Sequence, residues 1–314
     1  MRLLAAFFKM VRLPNLIFIA LTQVLFYECI IRVILDPLSI APAISRFSLL
    51  FIILASVLIG AAGYVINDYF DINIDQVNKP SKNVVDAVVS RRWAMLWHMI
   101  LSGAGILSSL YVFLRTGLLY IPLANVLCVF FLFLYSISLK RKLLSGNILI
   151  SVLTAWVIII LFLAELKFAG SGVPEEVLEA SHKIIRLGLL YSAFAFIISL
   201  IREAIKDIED IEGDRKYGCR TMPIVWGINA SKIFVAVWLV VLLALVILSQ
   251  VYVSQFNWWW PNIYSTFFII LPLGYIFLKL FPASLPRQFH QLSSLTKLTM
   301  LTGILSMIFF RFYL

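Results

Sequence analysis

The chain has 314 residues, of which 62% are hydrophobic and only 13% are charged, and its mean hydropathy is +0.99. A soluble domain of this length would carry about twice that share of charged residues, so the composition excludes an ordinary soluble protein and favours a polytopic membrane protein. The net charge of +10 could suggest nucleic acid, but in so apolar a chain it indicates membrane topology and anionic lipid contact. We therefore expect membrane lipids as partners, with no nucleic acid and no obligate protein partner.

Nine apolar stretches are long enough to cross a bilayer as helices, which takes about 20 residues each. They lie near residues 13–35, 48–66, 93–114, 118–138, 147–166, 184–205, 231–252, 262–281 and 295–313. With the N-terminus in the cytoplasm, 19 of the 26 Lys and Arg residues fall in inner segments and 7 in outer ones. The positive-inside rule then predicts an all-α protein of the inner or plasma membrane, with a cytoplasmic N-terminus and an external C-terminus.

Two acidic triplets follow the second and sixth stretches with identical spacing, i, i+3 and i+7. They are Asp68, Asp71 and Asp75 in NDYFDINID, and Asp207, Asp210 and Asp214 in KDIEDIEGD. On a helix these positions fall within an arc of roughly 60°, so each triplet predicts a row of carboxylates along one face. Such rows repel themselves unless a cation lies among them, and oxygen-only ligands suit Mg²⁺ shared with a substrate phosphate.

The two triplets also indicate an internal duplication. Their offset is 139 residues, with four apolar stretches in each interval. We predict one domain over 1–314, made of pseudo-repeat halves near 13–146 and 147–281 and a last helix at 295–313. A duplicated four-helix unit would bring both carboxylate rows together across a central cavity.

Basic residues alternate with the acidic triplets on the predicted inner side. The candidates for substrate contact in these segments are Lys79, Lys82, Lys140, Arg141, Arg202 and Arg220. A solvated loop would also mix charges, and that alternative stays open for each basic residue. Few ionisable residues lie within the apolar stretches, so the pattern favours a site at the inner interface above an apolar cavity.

Such a site suits an enzyme that ionises an allylic diphosphate and passes the carbocation to an acceptor. Carboxylates would hold Mg²⁺, Mg²⁺ would hold diphosphate oxygens, and Lys or Arg would neutralise the remaining charge. Aromatic faces can stabilise a carbocation, although packing is the commoner role. The candidates are Tyr64, Tyr69, Tyr135 and Tyr191.

At these residues the chain resembles the UbiA-type intramembrane prenyltransferases. NDYFDINID resembles the family's NDxxDxxxD motif, DIEDIEGD resembles its DxxxD motif, and YSISLKR resembles its YSxxLKR element. The segment NKP matches the family's NxP, and GCRTMP resembles its GxKT-like element. The continuation SKNVVDAVVSRR departs from the usual pattern, which puts the contacts of that loop in question.

The resemblance implies particular roles. The Mg²⁺ ligands would be Asn67, Asp68, Asp71, Asp75, Asp210 and Asp214, with Asp207 in a supporting or ligating role. Lys140 and Arg220 would contact the diphosphate, and Lys82 would stand where many members have an arginine. Arg12 and Asn15, in RLPNL, resemble a first-helix element near the isoprenyl head.

The acceptor is less sharply indicated than the donor. The run REAIKDIEDIEGDRKYGCRTMP looks most like the family branch that makes archaeal-type ether lipids, in which a geranylgeranyl group passes to the hydroxyl of geranylgeranylglyceryl phosphate. Asp207 is a candidate base for that hydroxyl. An aromatic quinone precursor remains an alternative acceptor. A transporter of cations or lipid phosphates, and a non-catalytic lipid-binding scaffold, are the alternatives from other classes.

Overall fold

The computed structural model describes residues 7–78, 89–169 and 174–314, with the side chains at 75, 78 and 167–169 outside the description. The predictions for Lys79, Lys82 and the Asp75 side chain therefore lie outside the described residues. Within the described part, nine helices are long and apolar enough to cross a membrane. They are α1 (Leu13–Leu38), α2 (Arg46–Asn78), α3 (Arg91–Thr116), α4 (Tyr120–Ile137), α5 (Ser145–Leu166), α6 (Glu175–Glu209), α7 (Ile228–Ser254), α8 (Trp259–Leu280) and α9 (Pro286–Tyr313).

The all-α, nine-helix prediction is confirmed, while the orientation of the termini stays a prediction. Three helices extend well beyond their predicted apolar stretches: α2 ends at Asn78 rather than near residue 66, α6 begins at Glu175 rather than near 184, and α9 begins at Pro286 rather than near 295. Pro286 occupies the first turn, where its missing N–H costs nothing. The Gln288 side chain accepts hydrogen bonds from the backbone N–H groups of Ser284 at 2.7 Å and Leu285 at 2.9 Å, which satisfies the start of the helix.

Each of the two helices that carry the acidic motifs has several neighbours. α2 packs against α1, α3 and α4, whereas α6 packs against α5, α7 and α9. α1 also contacts α5 and α9, and so connects the two groups. This arrangement is compatible with the predicted duplication, which stays a prediction.

α2 is longer than its apolar part. Its residues 46–66 would span about 31 Å, close to the roughly 30 Å of a bilayer's hydrocarbon core. The segment 67–78 continues the same helix for about 18 Å more. The first acidic motif therefore lies on a helical extension beyond the apolar part.

The second acidic triplet does not form one face of a continuous helix, so that prediction is wrong. α6 ends at Glu209, and Asp210 leaves the helical conformation with φ −93° and ψ 9°. A short helix, Ile211–Lys216, follows and packs against α2. Asp side chains compete with backbone groups for hydrogen bonds, which disfavours helix interiors and favours such a break. Asp207 is thus on α6, Asp210 at the break and Asp214 on the short helix.

Candidate active site

The first motif presents two carboxylates, each held by a cation from another element. Arg12 Nη2 lies 2.9 Å from Asp68 Oδ1, and Lys140 Nζ lies 2.5 Å from Asp71 Oδ1. Asn67 donates from Nδ2 to Asp71 Oδ2 at 2.8 Å and accepts from Lys140 Nζ at 3.3 Å. The predicted ligands Asn67, Asp68 and Asp71 therefore form one charged cluster with the predicted substrate residues Arg12 and Lys140.

The position of Lys140 depends on a tight connection between α4 and α5. Lys140 lies in a short 3₁₀ turn, and Leu144 takes a left-handed conformation with φ 55° just before α5. A Cβ atom on Gly146 would lie 2.8 Å from the Lys140 Cα atom and 3.1 Å from the Leu139 carbonyl oxygen. Only glycine allows this approach, because both contacts are with backbone atoms.

Polar side chains and Lys206 contact the carboxylates of the second motif. Asn147 donates from Nδ2 to Asp207 Oδ2 at 2.8 Å. Lys206 Nζ lies 3.4 Å from Asp210 Oδ2, and the Thr221 hydroxyl lies 3.5 Å from Asp214 Oδ2. Asn147 is buried at the start of α5 and carries no charge, so the motif search missed it.

Carboxylates of both motifs lie near one buried thiol. Burial raises the pKa of Cys219 to about 11, and the negative charges of Asp214 and Asp71 raise it as well. The nearby cations Arg141 and Lys140 act in the opposite direction. Asp71 from α2 and Asp214 from the short helix therefore act on the same small region. A backbone hydrogen bond of 2.7 Å from Arg220 N–H to the Arg141 carbonyl ties the two loops together.

An apolar cavity of about 440 Å³ opens beside these charged groups. Its wall follows α6 from Leu190 to Lys206, a distance of about 24 Å along the helix axis. Three of the predicted aromatic candidates, Tyr64, Tyr135 and Tyr191, line it. Tyr69 is not among the lining residues in the described part of the chain. The cavity can hold an extended hydrocarbon chain with its polar end at Asn67.

Three of the predicted substrate residues, Arg12, Asn15 and Arg202, line the cavity, whereas Arg141 and Arg220 are not among its described lining residues. Asn15 lines it and donates from Nδ2 to Tyr64 Oη at 3.0 Å, and the Arg12 guanidinium lies 4.9 Å from the Tyr64 ring centroid. Arg202 lines it further along and pairs with Glu203 at 2.6 Å. Sequence reasoning missed Lys297, which lines the cavity from α9, because the predicted helix at 295–313 placed this residue at the membrane edge.

The donor set fits Mg²⁺ shared with a substrate better than a metal held by protein alone. Across residues 7–78, 89–169 and 174–314, no three His, Cys, Asp or Glu side chains are grouped closely enough to hold a metal ion. Mg²⁺ is usually bound through one or two carboxylates plus substrate phosphates, not by a protein-only cage. Asp68, Asp71, Asp210 and Asp214, with the Asn67 amide, supply oxygen donors of that kind.

The chain is similar to known proteins over most of its length. A protein of Methanosphaera stadtmanae named digeranylgeranylglyceryl phosphate synthase is 30% identical over 253 residues, which are 78% of this chain and 81% of that protein. A solved structure described as digeranylgeranylglyceryl phosphate synthase in membranes is 25% identical, with a TM-score of 0.64 and full coverage of both chains.

A UbiA homologue from Archaeoglobus fulgidus bound to GPP and Mg²⁺ shares the fold. It is 14% identical, with a TM-score of 0.57 over 96% of this chain and 99% of that one. The Mg²⁺ bound to that homologue agrees with the metal expected from the acidic motifs. The model of the UbiA prenyltransferase family matches residues 38–295. The chain therefore belongs to the UbiA prenyltransferase family and is an integral membrane prenyltransferase.

Proposed function

We propose that this enzyme transfers a geranylgeranyl group from geranylgeranyl diphosphate to the free hydroxyl of geranylgeranylglyceryl phosphate, with Mg²⁺, at the cytoplasmic face of the membrane. The observation that carries the proposal is the cluster of Asn67, Asp68 and Asp71 with Arg12 and Lys140 beside the apolar cavity. The naming of the Methanosphaera stadtmanae relative supports the choice of acceptor. Membership of a prenyltransferase family removes the transporter and scaffold alternatives.

In the proposed site, the acidic residues bind the metal and the basic residues bind the diphosphate. Those that would hold Mg²⁺ are Asn67, Asp68, Asp71, Asp75, Asp210 and Asp214. When bound, Mg²⁺ supplies positive charge to the leaving diphosphate. Those that would contact the diphosphate are Lys79, Lys82, Lys140, Arg141 and Arg220. Lys140 can exchange its partner from Asp71 to a diphosphate oxygen without leaving the cluster.

The reaction exchanges one carbon–oxygen bond for another. The bond between C1 of the prenyl chain and the diphosphate oxygen breaks, and its electron pair leaves with the diphosphate. The acceptor hydroxyl oxygen forms a bond to C1 and loses its proton to a base. Asp207 is the base we propose, held in place by the Asn147 amide at 2.8 Å. Tyr64 and Tyr135 present aromatic rings to the cavity in which the cation would form.

Product formation by the purified protein tests the proposal. With labelled geranylgeranyl diphosphate, Mg²⁺ and the phosphorylated acceptor, the wild-type protein yields the ether-linked product. Asp68→Ala and Asp210→Ala abolish it. Asp36→Ala is the control, because Asp36 pairs with Arg32 at 2.7 Å near the end of α1, away from the motifs. Undiminished product from both motif variants would exclude the proposed site.

Two further outcomes define the acceptor and the membrane side. Mass spectrometry of lipids from a host that supplies geranylgeranyl diphosphate separates ether-linked glycerol products from prenylated aromatics. Prenylated aromatics alone would replace the proposed acceptor with a quinone precursor. Lys142 precedes α5 and Asn257 follows α7, so three spanning helices separate them and place them on opposite sides of the membrane. Labelling of single cysteines introduced at exposed positions near these two residues shows whether the motifs face the cytoplasm.

A further inference from the structure

A second group of cations lines the cavity, apart from the lysine that holds Asp71. The charged side chains along the cavity wall are Arg12, Arg202, Glu203, Lys206 and Lys297. Four of these five are cationic, and three of the four pair with a carboxylate: Arg12 with Asp68, Lys206 with Asp210 and Arg202 with Glu203. Lys297 forms no ion pair with a described residue. Because charge within a bilayer is costly, a cation without a carboxylate partner on an apolar cavity wall indicates an anionic ligand.

Lys297 is the member that the carboxylate motifs do not explain. It lies eleven residues after Pro286, about 16 Å along α9 from the start of the helix. Its ammonium group is 5.3 Å from the centroid of the Phe18 ring on α1, which is the distance of a cation–π contact. The positive charges of Arg202 and Arg12 both act on it. Three helices thus bring cations into one part of the cavity.

Arg202 presents a buried donor that no group in the described part of the chain satisfies. Its Nη1 atom pairs with Glu203 at 2.6 Å, whereas its Nε atom is buried and has no hydrogen-bond partner among the described residues. A buried guanidinium N–H without an acceptor is costly, and so such groups usually meet a ligand or water. Guanidinium groups match the oxygen geometry of phosphates.

We propose that Arg202 and Lys297 form a second anion site that binds the phosphate of the acceptor. The inference rests on the proposed function, in which the acceptor hydroxyl must reach C1 of the donor while its own phosphate remains bound nearby. The carboxylate motifs hold the donor diphosphate, and the α6–α9 cations hold the acceptor phosphate. An aromatic acceptor without a phosphate would leave the Lys297 ammonium and the Arg202 Nε donor without an anionic partner.

Binding to Lys297→Met tests the site without catalysis. The probe is geranylgeranylglyceryl phosphate, titrated into the detergent-solubilised full chain without donor or Mg²⁺. We expect its dissociation constant to rise about tenfold, since a charge-assisted hydrogen bond to phosphate is lost. The dephosphorylated lipid binds the variant and the wild type equally. Lys279→Met on α8, whose ammonium lies 5.8 Å from the Tyr275 ring, is the matched control and binds as wild type.

Kinetics then separate this site from the donor site. In Lys297→Met and Arg202→Lys, the KM for the phosphorylated acceptor rises while the KM for geranylgeranyl diphosphate stays within twofold. An equal rise in the donor KM would assign the two cations to the diphosphate and overturn the proposal. Unchanged acceptor binding in Lys297→Met would overturn it too. If the wild type binds the acceptor but forms no product, the proposed function fails while the anion site stands.

Discussion

Replacing Lys140 with methionine should have opposite effects on metal binding and on catalysis. The Lys140 ammonium lies 2.5 Å from Asp71, and the two side chains are only 10% and 15% exposed. Unit charges about 4 Å apart attract by about 4 kcal/mol at an effective dielectric constant of 20, and desolvation cancels part of this. The ammonium therefore competes with Mg²⁺ for the Asp71 carboxylate.

Lys140→Met removes the competitor and leaves a poorly compensated carboxylate. Breaking one side of a buried pair costs about 3–5 kcal/mol, so the free energy of unfolding should fall by about 3 kcal/mol without Mg²⁺. Mg²⁺ should restore part of that loss and bind about tenfold more tightly than to wild type. At the same time kcat/KM should fall by about 10²–10³, because the diphosphate loses a fixed cation in the transition state.

Calorimetric titration with Mg²⁺ and steady-state prenyl transfer measure the two effects. Lys183→Met is the control, since Lys183 and Glu179 form an exposed pair at 3.2 Å that contributes little. Mg²⁺ affinity that falls in Lys140→Met would show that the lysine supports the metal rather than competing with it. The competition argument would then be wrong.

Two other substitutions separate the site from its scaffold. Gly146→Ala should lower kcat/KM by about tenfold or more, because the added Cβ would displace the Lys140 backbone. Gly103→Ala in α3 is the control and should leave steady-state rates unchanged, because no atom lies near the added Cβ. Lys232→Met should lower the melting temperature of the solubilised protein but preserve activity per folded molecule. The buried Lys232 ammonium donates to the carbonyl oxygen of Phe281 at 2.8 Å and so connects α7 to the end of α8. Equal activity of Gly146→Ala and Gly103→Ala, or a Lys232→Met protein as stable as wild type, would contradict these two expectations.

Hydropathy predicted the number of helices because each apolar run is long enough to be recognised alone. It placed the start of α9 too late, because the first part of that helix is polar. That part has the sequence PRQFHQLSS, and its Ser293 is buried. Pro286 indicated where the helix begins, because proline is favoured in the first turn of a helix, but an average of hydropathy over many residues does not detect such a signal. Because of this late start, Lys297 was placed at the membrane edge and was not recognised as a residue of the cavity.

Spacing alone was a weaker guide to the second motif than to the first. The positions of Asp68 and Asp71 follow directly from a continuous α2, as predicted. Asp210 and Asp214 have the same spacing, yet the chain bends at Asp210. A repeat of i, i+3 and i+7 defines a common face only where the helix is unbroken. Asn147 could not be found from charge patterns, since its role depends on a contact 60 residues away in the chain.

The extension of α2 beyond its apolar part allows a substrate with one polar and one apolar end to bind without moving either end into an unfavourable solvent. The proposed donor joins an anionic diphosphate to a hydrocarbon tail. The diphosphate does not need to enter the hydrocarbon region, and the tail does not need to enter water. Because segment 67–78 extends beyond the apolar part of α2, the proposed site would keep the anionic group near water while the hydrocarbon tail lies in the apolar cavity. In the proposed reaction the diphosphate would leave toward water and the enlarged lipid toward the bilayer. The two products would thus leave by different routes.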